Sequence, residues 1–138
     1  MATMTTTLNE RIFQKLEHVL GDLDKLPEYQ KLKASSFMDL NVDKLSGDGE
    51  EIRIALSHYF KQGGDMIPDP DMEMMVFPDL EMVEPLTYQD SYVYREVFPD
   101  SGGIDLKARK DLSVFLNQWL SNIIDEGYMK VGGNGHAV

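Results

Sequence analysis

The stretch Gly63-Gly64-Asp65-Met66-Ile67-Pro68-Asp69-Pro70-Asp71-Met72 joins two runs with the period of a β-strand, and its reading decides the fold. Gly63 and Gly64 reverse a chain at low steric cost because they reach positive φ, while Pro68 and Pro70 fix φ and push Ile67 and Asp69 toward extended geometry. A long hairpin connection is expected here. Upstream, Ile52, Ile54, Leu56, His58 and Phe60 alternate with Arg53, Ala55, Ser57, Tyr59 and Lys61, as a strand with one buried face requires. Downstream, Met72, Met74 and Val76 repeat that period.

Working outward, Met38, Leu40 and Val42 predict a strand that ends at Ser46-Gly47-Asp48-Gly49 and pairs with Ile52 to Phe60. Met72 to Phe77 is a third strand and Leu80 to Val83 a fourth, with Pro85 marking an edge or a strand end. Tyr88, Tyr92, Val93, Tyr94, Val97 and Phe98 supply a fifth, with Gln89-Asp90-Ser91 as a turn or bulge. Asp24 to Ser36 reads as a connection with one helical turn after Pro27.

Helices flank these strands. Thr7-Leu8-Asn9-Glu10 matches a capping box, and Ile12, Phe13, Leu16, Val19 and Leu20 follow with helical spacing up to Gly21. Asp105 caps a second helix in which Leu112, Phe115, Leu116, Trp119, Leu120, Ile123 and Ile124 form the apolar stripe, and Gly127 stops it. The expectation is an α+β fold: an N-terminal helix, about five strands in a mostly antiparallel meander, and a long C-terminal amphipathic helix packed on the sheet. Residues 1–131 are expected to form one domain and 132–138 a flexible tail.

Composition narrows the functions. The chain of 138 residues has no cysteine, which excludes disulfides and thiolate chemistry and suits a reducing cytoplasm. No apolar run is long enough for a membrane span, and Met1 to Thr7 lacks the features of a secretory signal. Of the net charge of −11, residues 62–106 carry nearly all, with one basic side chain against eleven acidic. Such a field repels phosphate backbones and attracts basic protein surfaces, so direct nucleic-acid binding is not expected.

Candidate sites follow from that charge. Asp65, Asp69, Asp71, Glu73, Glu81 and Glu84, with Tyr88 and Tyr92, are the residues expected to engage a basic partner protein; Tyr59 and Tyr94 share the aromatic character that interfaces favour. An alternative site groups His58, Tyr59 and Asp65 as a small hydrolase or ligand-binding centre, since a histidine near a carboxylate can act as a general base. His58 also has a plainer reading, as a hydrogen-bonded core histidine. No GxSxG, Walker A, GxGxxG or HExxH pattern occurs, and the Asp cluster lacks the spacing of an EF-hand loop. No catalytic residue, metal site or cofactor is therefore expected.

The run Ile52 to Phe60, the turn Gly64-Asp65-Met66-Ile67-Pro68-Asp69-Pro70-Asp71-Met72, Leu86-Thr87-Tyr88-Gln89-Asp90 and Phe115-Leu116-Asn117-Gln118-Trp119-Leu120 resemble an uncharacterised bacterial and phage family of small domains of unknown function. Its signature is a Gly-Asp-x-x-Pro-Asp-Pro-x-Met turn, and the resemblance covers roughly residues 38–128. It implies an accessory role in a plasmid, integrative element or phage, antirestriction or anti-defence being one form, and supplies no catalytic residue.

Overall fold

The computed structural model describes residues 7–130. Helix α1 (Leu8–Leu20) begins at the anticipated capping box: the Thr7 hydroxyl accepts from the Glu10 amide and the Glu10 carboxylate from the Thr7 amide. Helix α2 (Leu106–Glu126) opens with the Asp105 carboxylate accepting from the Ala108 amide and closes at Gly127 in the left-handed region. Between them lies one antiparallel sheet with strands β1 (Tyr29–Lys33), β2 (Leu40–Asp48), β3 (Glu51–Gln62), β4 (Asp65–Phe77), β5 (Met82–Gln89) and β6 (Tyr94–Glu96), completed by β7 (Met129–Lys130) after α2. Their order is β6-β5-β4-β3-β2-β1-β7, so the first six strands form the expected meander.

The five strands anticipated are thus seven among the described residues. Tyr29 to Lys33, read as part of a connection, is a strand; only Leu32 of its residues is buried, so the apolar alternation that reveals a strand is absent. The helical turn of that connection lies before Pro27, at Leu23–Lys25. The run assigned to a fifth strand is divided between β5 and β6 by a turn in which Asp90 Oδ1 accepts from the amides of Tyr92 and Val93. The tail expected over 132–138 lies outside the described residues.

The central reversal is also shorter than anticipated. Gln62 pairs directly with Asp65, leaving Gly63 and Gly64 as a two-residue hairpin loop with φ of 59° and 90°. Positive φ at both loop positions matches the twist of the flanking strands, which is why two glycines suffice. Pro68 and Pro70 therefore lie inside β4, beside a register shift between Ser57 and Tyr59, where a missing N–H does least damage. Pro85 does not end β5. It sits at a second shift, opposite Met74, and beyond the Thr87 to Gln89 segment that β6 pairs, so β5 is locally an edge there.

The core is one-sided. Leu40, Val42, Ile52, Ile54, Leu56, Met72, Met74, Val76 and Val83 from alternate strand positions join Ile12, Leu16 and Leu20 of α1 and Leu112, Leu116, Trp119, Leu120 and Ile123 of α2 in one cluster. The helices also meet polar-wise, Lys15 Nζ donating to Asn117 Oδ1 (2.8 Å) and Ser121 Oγ (2.7 Å). Among the described residues, the intervening strand positions form a second sheet face that no helix covers.

Candidate functional site

On that uncovered face the register aligns side chains across the meander. One row runs from β1 to β6 through Tyr29, Asp43, Ala55, Glu73, Thr87 and Glu96, and its neighbour through Lys31, Asn41, Ser57, Asp71, Gln89 and Tyr94. Ala55 and Ser57 at the centre are small, and larger neighbours on β2 and β4 overshadow them, so both are buried although they face away from the core. Asp43, Asp71 and Glu73 surround this depression.

Among the described residues one ion pair, from Arg53, reaches these carboxylates. Arg53 gives Nε and Nη2 to the same oxygen of Glu73, at 2.9 and 2.7 Å. Asp71 accepts from the Tyr59 hydroxyl at 2.9 Å, and Asn41 takes the Tyr29 hydroxyl at 2.6 Å. Burial pushes the Asp71 carboxyl above its usual range, the charges of Glu73 and Asp43 add to the rise, and the Tyr59 bond opposes it. Asp43 is raised by burial. The Tyr59 phenol is raised by burial first and by Asp71 next.

Toward the β5–β6 end, the same face holds a cavity of about 460 Å³ whose lining includes Met75, Thr87, Tyr94, Glu96 and Phe98. Among the described residues no group of three His, Asp or Glu side chains is placed to hold a metal ion.

The residues expected to form a partner surface are dispersed. Asp71 and Glu73 stand on the uncovered face, whereas Asp65 sits at the β3–β4 hairpin tip and Asp69 at the register shift. Glu81 occupies a turn at the other end of β4, with φ of 53°. Glu84 is held by a bidentate bond from Arg109 of α2, at 2.8 and 2.7 Å. Tyr88 packs edge-on against Phe115, on the helix side, and its hydroxyl bonds Asp90, with burial first and then this bond pushing its pKa up to about 12. Tyr92 is 93% exposed in the β5–β6 turn.

His58 and Tyr59 point to opposite faces of β3, and Asp65 lies beyond both at the hairpin tip, so the alternative trio is not brought together. The His58 ring is buried against Trp119 and Tyr128, with Nδ1 2.8 Å from the Asp39 carbonyl oxygen. Asp43, Arg53 and Glu96 stand on the uncovered face beside Asp71 and Glu73 but are not among the site residues that sequence reasoning names. The alternation of Val42 with Asp43 and of Ile52 with Arg53 marks their outward direction, but their neighbours depend on the register.

The fold and site together define a small α+β protein with a helix-covered sheet face and an open, acid-rich one. The chain belongs to a family described as a domain of unknown function, DUF6908, whose model matches residues 10–129. No curated protein and no solved structure matches it.

Proposed function

We propose that this chain is a non-enzymatic binding protein whose uncovered sheet face, around Asp43, Asp71 and Glu73, engages a basic surface on a partner protein. The observation that carries this reading is the crowding of those carboxylates about the Ala55–Ser57 depression, with Arg53 as the nearby cation and Asp43 and Asp71 raised by burial. Burying charged groups without full compensation costs stability. A cationic surface laid on the face returns favourable charge to each carboxylate at once, and long-range attraction speeds the encounter.

The resemblance of the Gly-Asp-x-x-Pro-Asp-Pro-x-Met turn to bacterial and phage domains supports an accessory role in a mobile element. A nucleic-acid-binding protein of a defence system is the kind of basic partner that role supplies.

The test is affinity capture from the native host with the wild-type chain and the triple variant Asp43→Asn, Asp71→Asn, Glu73→Gln. A basic protein is expected in stoichiometric amount at low salt, reduced at higher salt, where charges are screened beyond roughly 10 Å at about 0.1 M, and reduced again with the variant. Equal capture by wild type and folded variant overturns the reading.

A further inference from the structure

The cavity at the β5–β6 end of the uncovered face combines apolar surface from Met75, Leu86 and Phe98 with the Tyr94 ring and the carboxylates of Glu96 and Asp100. Its cation, Arg53, is already engaged by Glu73. Glu96 accepts from the Tyr94 hydroxyl at 3.3 Å, a long bond, and neither Glu96 nor Asp100 forms an ion pair among the described residues. The Tyr94 phenol is held above its ordinary range by burial first and then by the charges of Glu96, Glu73 and Asp100, so negative potential converges on this ring. Of the cavity's lining, the large side chains of Tyr94 and Phe98 are themselves exposed, as apolar groups at a contact surface are.

We propose that this cavity seats an arginine side chain of the basic partner. The inference rests on the function proposed above, since it names the group by which such a partner would be held. The lining chemistry selects the guanidinium. Its planar, weakly hydrated head stacks on aromatic faces and presents a fork of N–H donors to carboxylates, here Tyr94 and Phe98 beside Glu96 and Asp100. Its aliphatic stem covers apolar surface, as Met75 and Leu86 require. A lysine ammonium is a compact, strongly hydrated charge that gains less from two rings and offers no planar fork. An anion is disfavoured, because the one cation of the lining is already paired.

The closing experiment needs no partner. Full-length chain labelled with nitrogen-15 is titrated with N-acetyl-arginine-N-methylamide, and separately with the corresponding lysine compound at matched ionic strength, while the backbone amides of Thr87, Tyr94, Glu96 and Phe98 are followed. Saturable shifts at these amides are expected in the millimolar range with the arginine compound, and weaker binding with lysine. The double variant Glu96→Gln, Asp100→Asn is expected to bind the arginine compound about tenfold less well, the loss of two partly exposed charge-assisted bonds. Absent or unsaturable shifts in the wild type overturn the proposal, as do equal binding of the two compounds or undiminished binding by the double variant. Failure here leaves capture through Asp43, Asp71 and Glu73 standing. Arginine binding without any basic partner in the capture experiment sinks the broader reading instead.

Discussion

Strands β3 and β4 present two different surfaces from one backbone. Toward the helices they offer Ile52, Ile54, Leu56, Met72, Met74 and Val76, all nearly or fully inaccessible; away from them they offer Arg53, Ala55, Ser57, Asp71, Glu73 and Met75. The first surface carries the stability, because removing apolar area from water is the main favourable contribution to folding. The second adds little by burial and holds the Asp71 carboxyl, like that of Asp43 beside it on β2, in a raised, less favourable state. Composition on the covered face is thus explained by the fold itself, and composition on the open face is what the proposed partner contact would use.

The largest effect that tests this division comes from one truncation on each face. Leu56→Ala opens a cavity between β3 and the helices and is expected to cost about 2–5 kcal/mol in urea unfolding. Gln89→Ala, exposed on the uncovered face beside Asp71, is expected to change stability by less than about 0.5 kcal/mol. Comparable costs for the two would break the comparison, since they would mean that the open face is packed against something.

A smaller effect sharpens the boundary between the faces. Glu84 is paired across β4 with Met75, which lines the open-face cavity, yet its carboxylate is held by Arg109 of α2, at the stretch of β5 that β6 leaves unpaired. Arg109→Ala leaves this largely shielded carboxylate without its two donors and is expected to destabilise by about 1–2 kcal/mol, less than a fully buried pair because Arg109 is itself partly exposed. A double-mutant cycle with Glu84→Gln measures the coupling; a coupling near zero would show that α2 is held on the sheet by its apolar stripe alone.

How much of this was legible follows from how local each signal is. The helix ends are readable because a cap involves residues three apart: Thr7 with Glu10, Asp105 with Ala108, and Gly127 past the last turn. The core face of β3 and β4 is readable because one strand suffices to show a period of two. Strand β1 is not, since its order comes from pairing with β2 and β7 rather than from its own apolar residues. The site is half legible for the same reason. Asp71 and Glu73 alternate with Met72 and Met74, but their meeting with Asp43 and Tyr59 depends on register shifts at Leu45 and His58, which leave no mark in composition. Glu84 shows the converse: an acidic side chain on an outward position is claimed by a helix far along the chain.

The smallest effect concerns the charge of the open face alone. Burial holds the Asp43 carboxyl above the ordinary value of 3.8. As pH climbs past 3.8, the unfolded chain releases this proton before the folded one does, so the folded state binds more protons and loses relative stability with rising pH. The contribution of Asp43 is therefore most favourable below the unfolded value, declines through the raised folded value and stays unfavourable at neutral pH. Asp43→Asn, similar in shape and always neutral, is expected to match the wild type in strongly acidic solution and to be the more stable protein near neutrality, the gap opening just above 3.8 in a series of urea unfolding curves. A gap of the opposite sign would mean that the folded chain favours the Asp43 carboxylate, and the open face would then be charge-satisfied without a partner. The same substitution belongs to the variant expected to weaken partner capture, so a protein that gains stability while losing binding would separate what this face does for folding from what it does in the proposed contact.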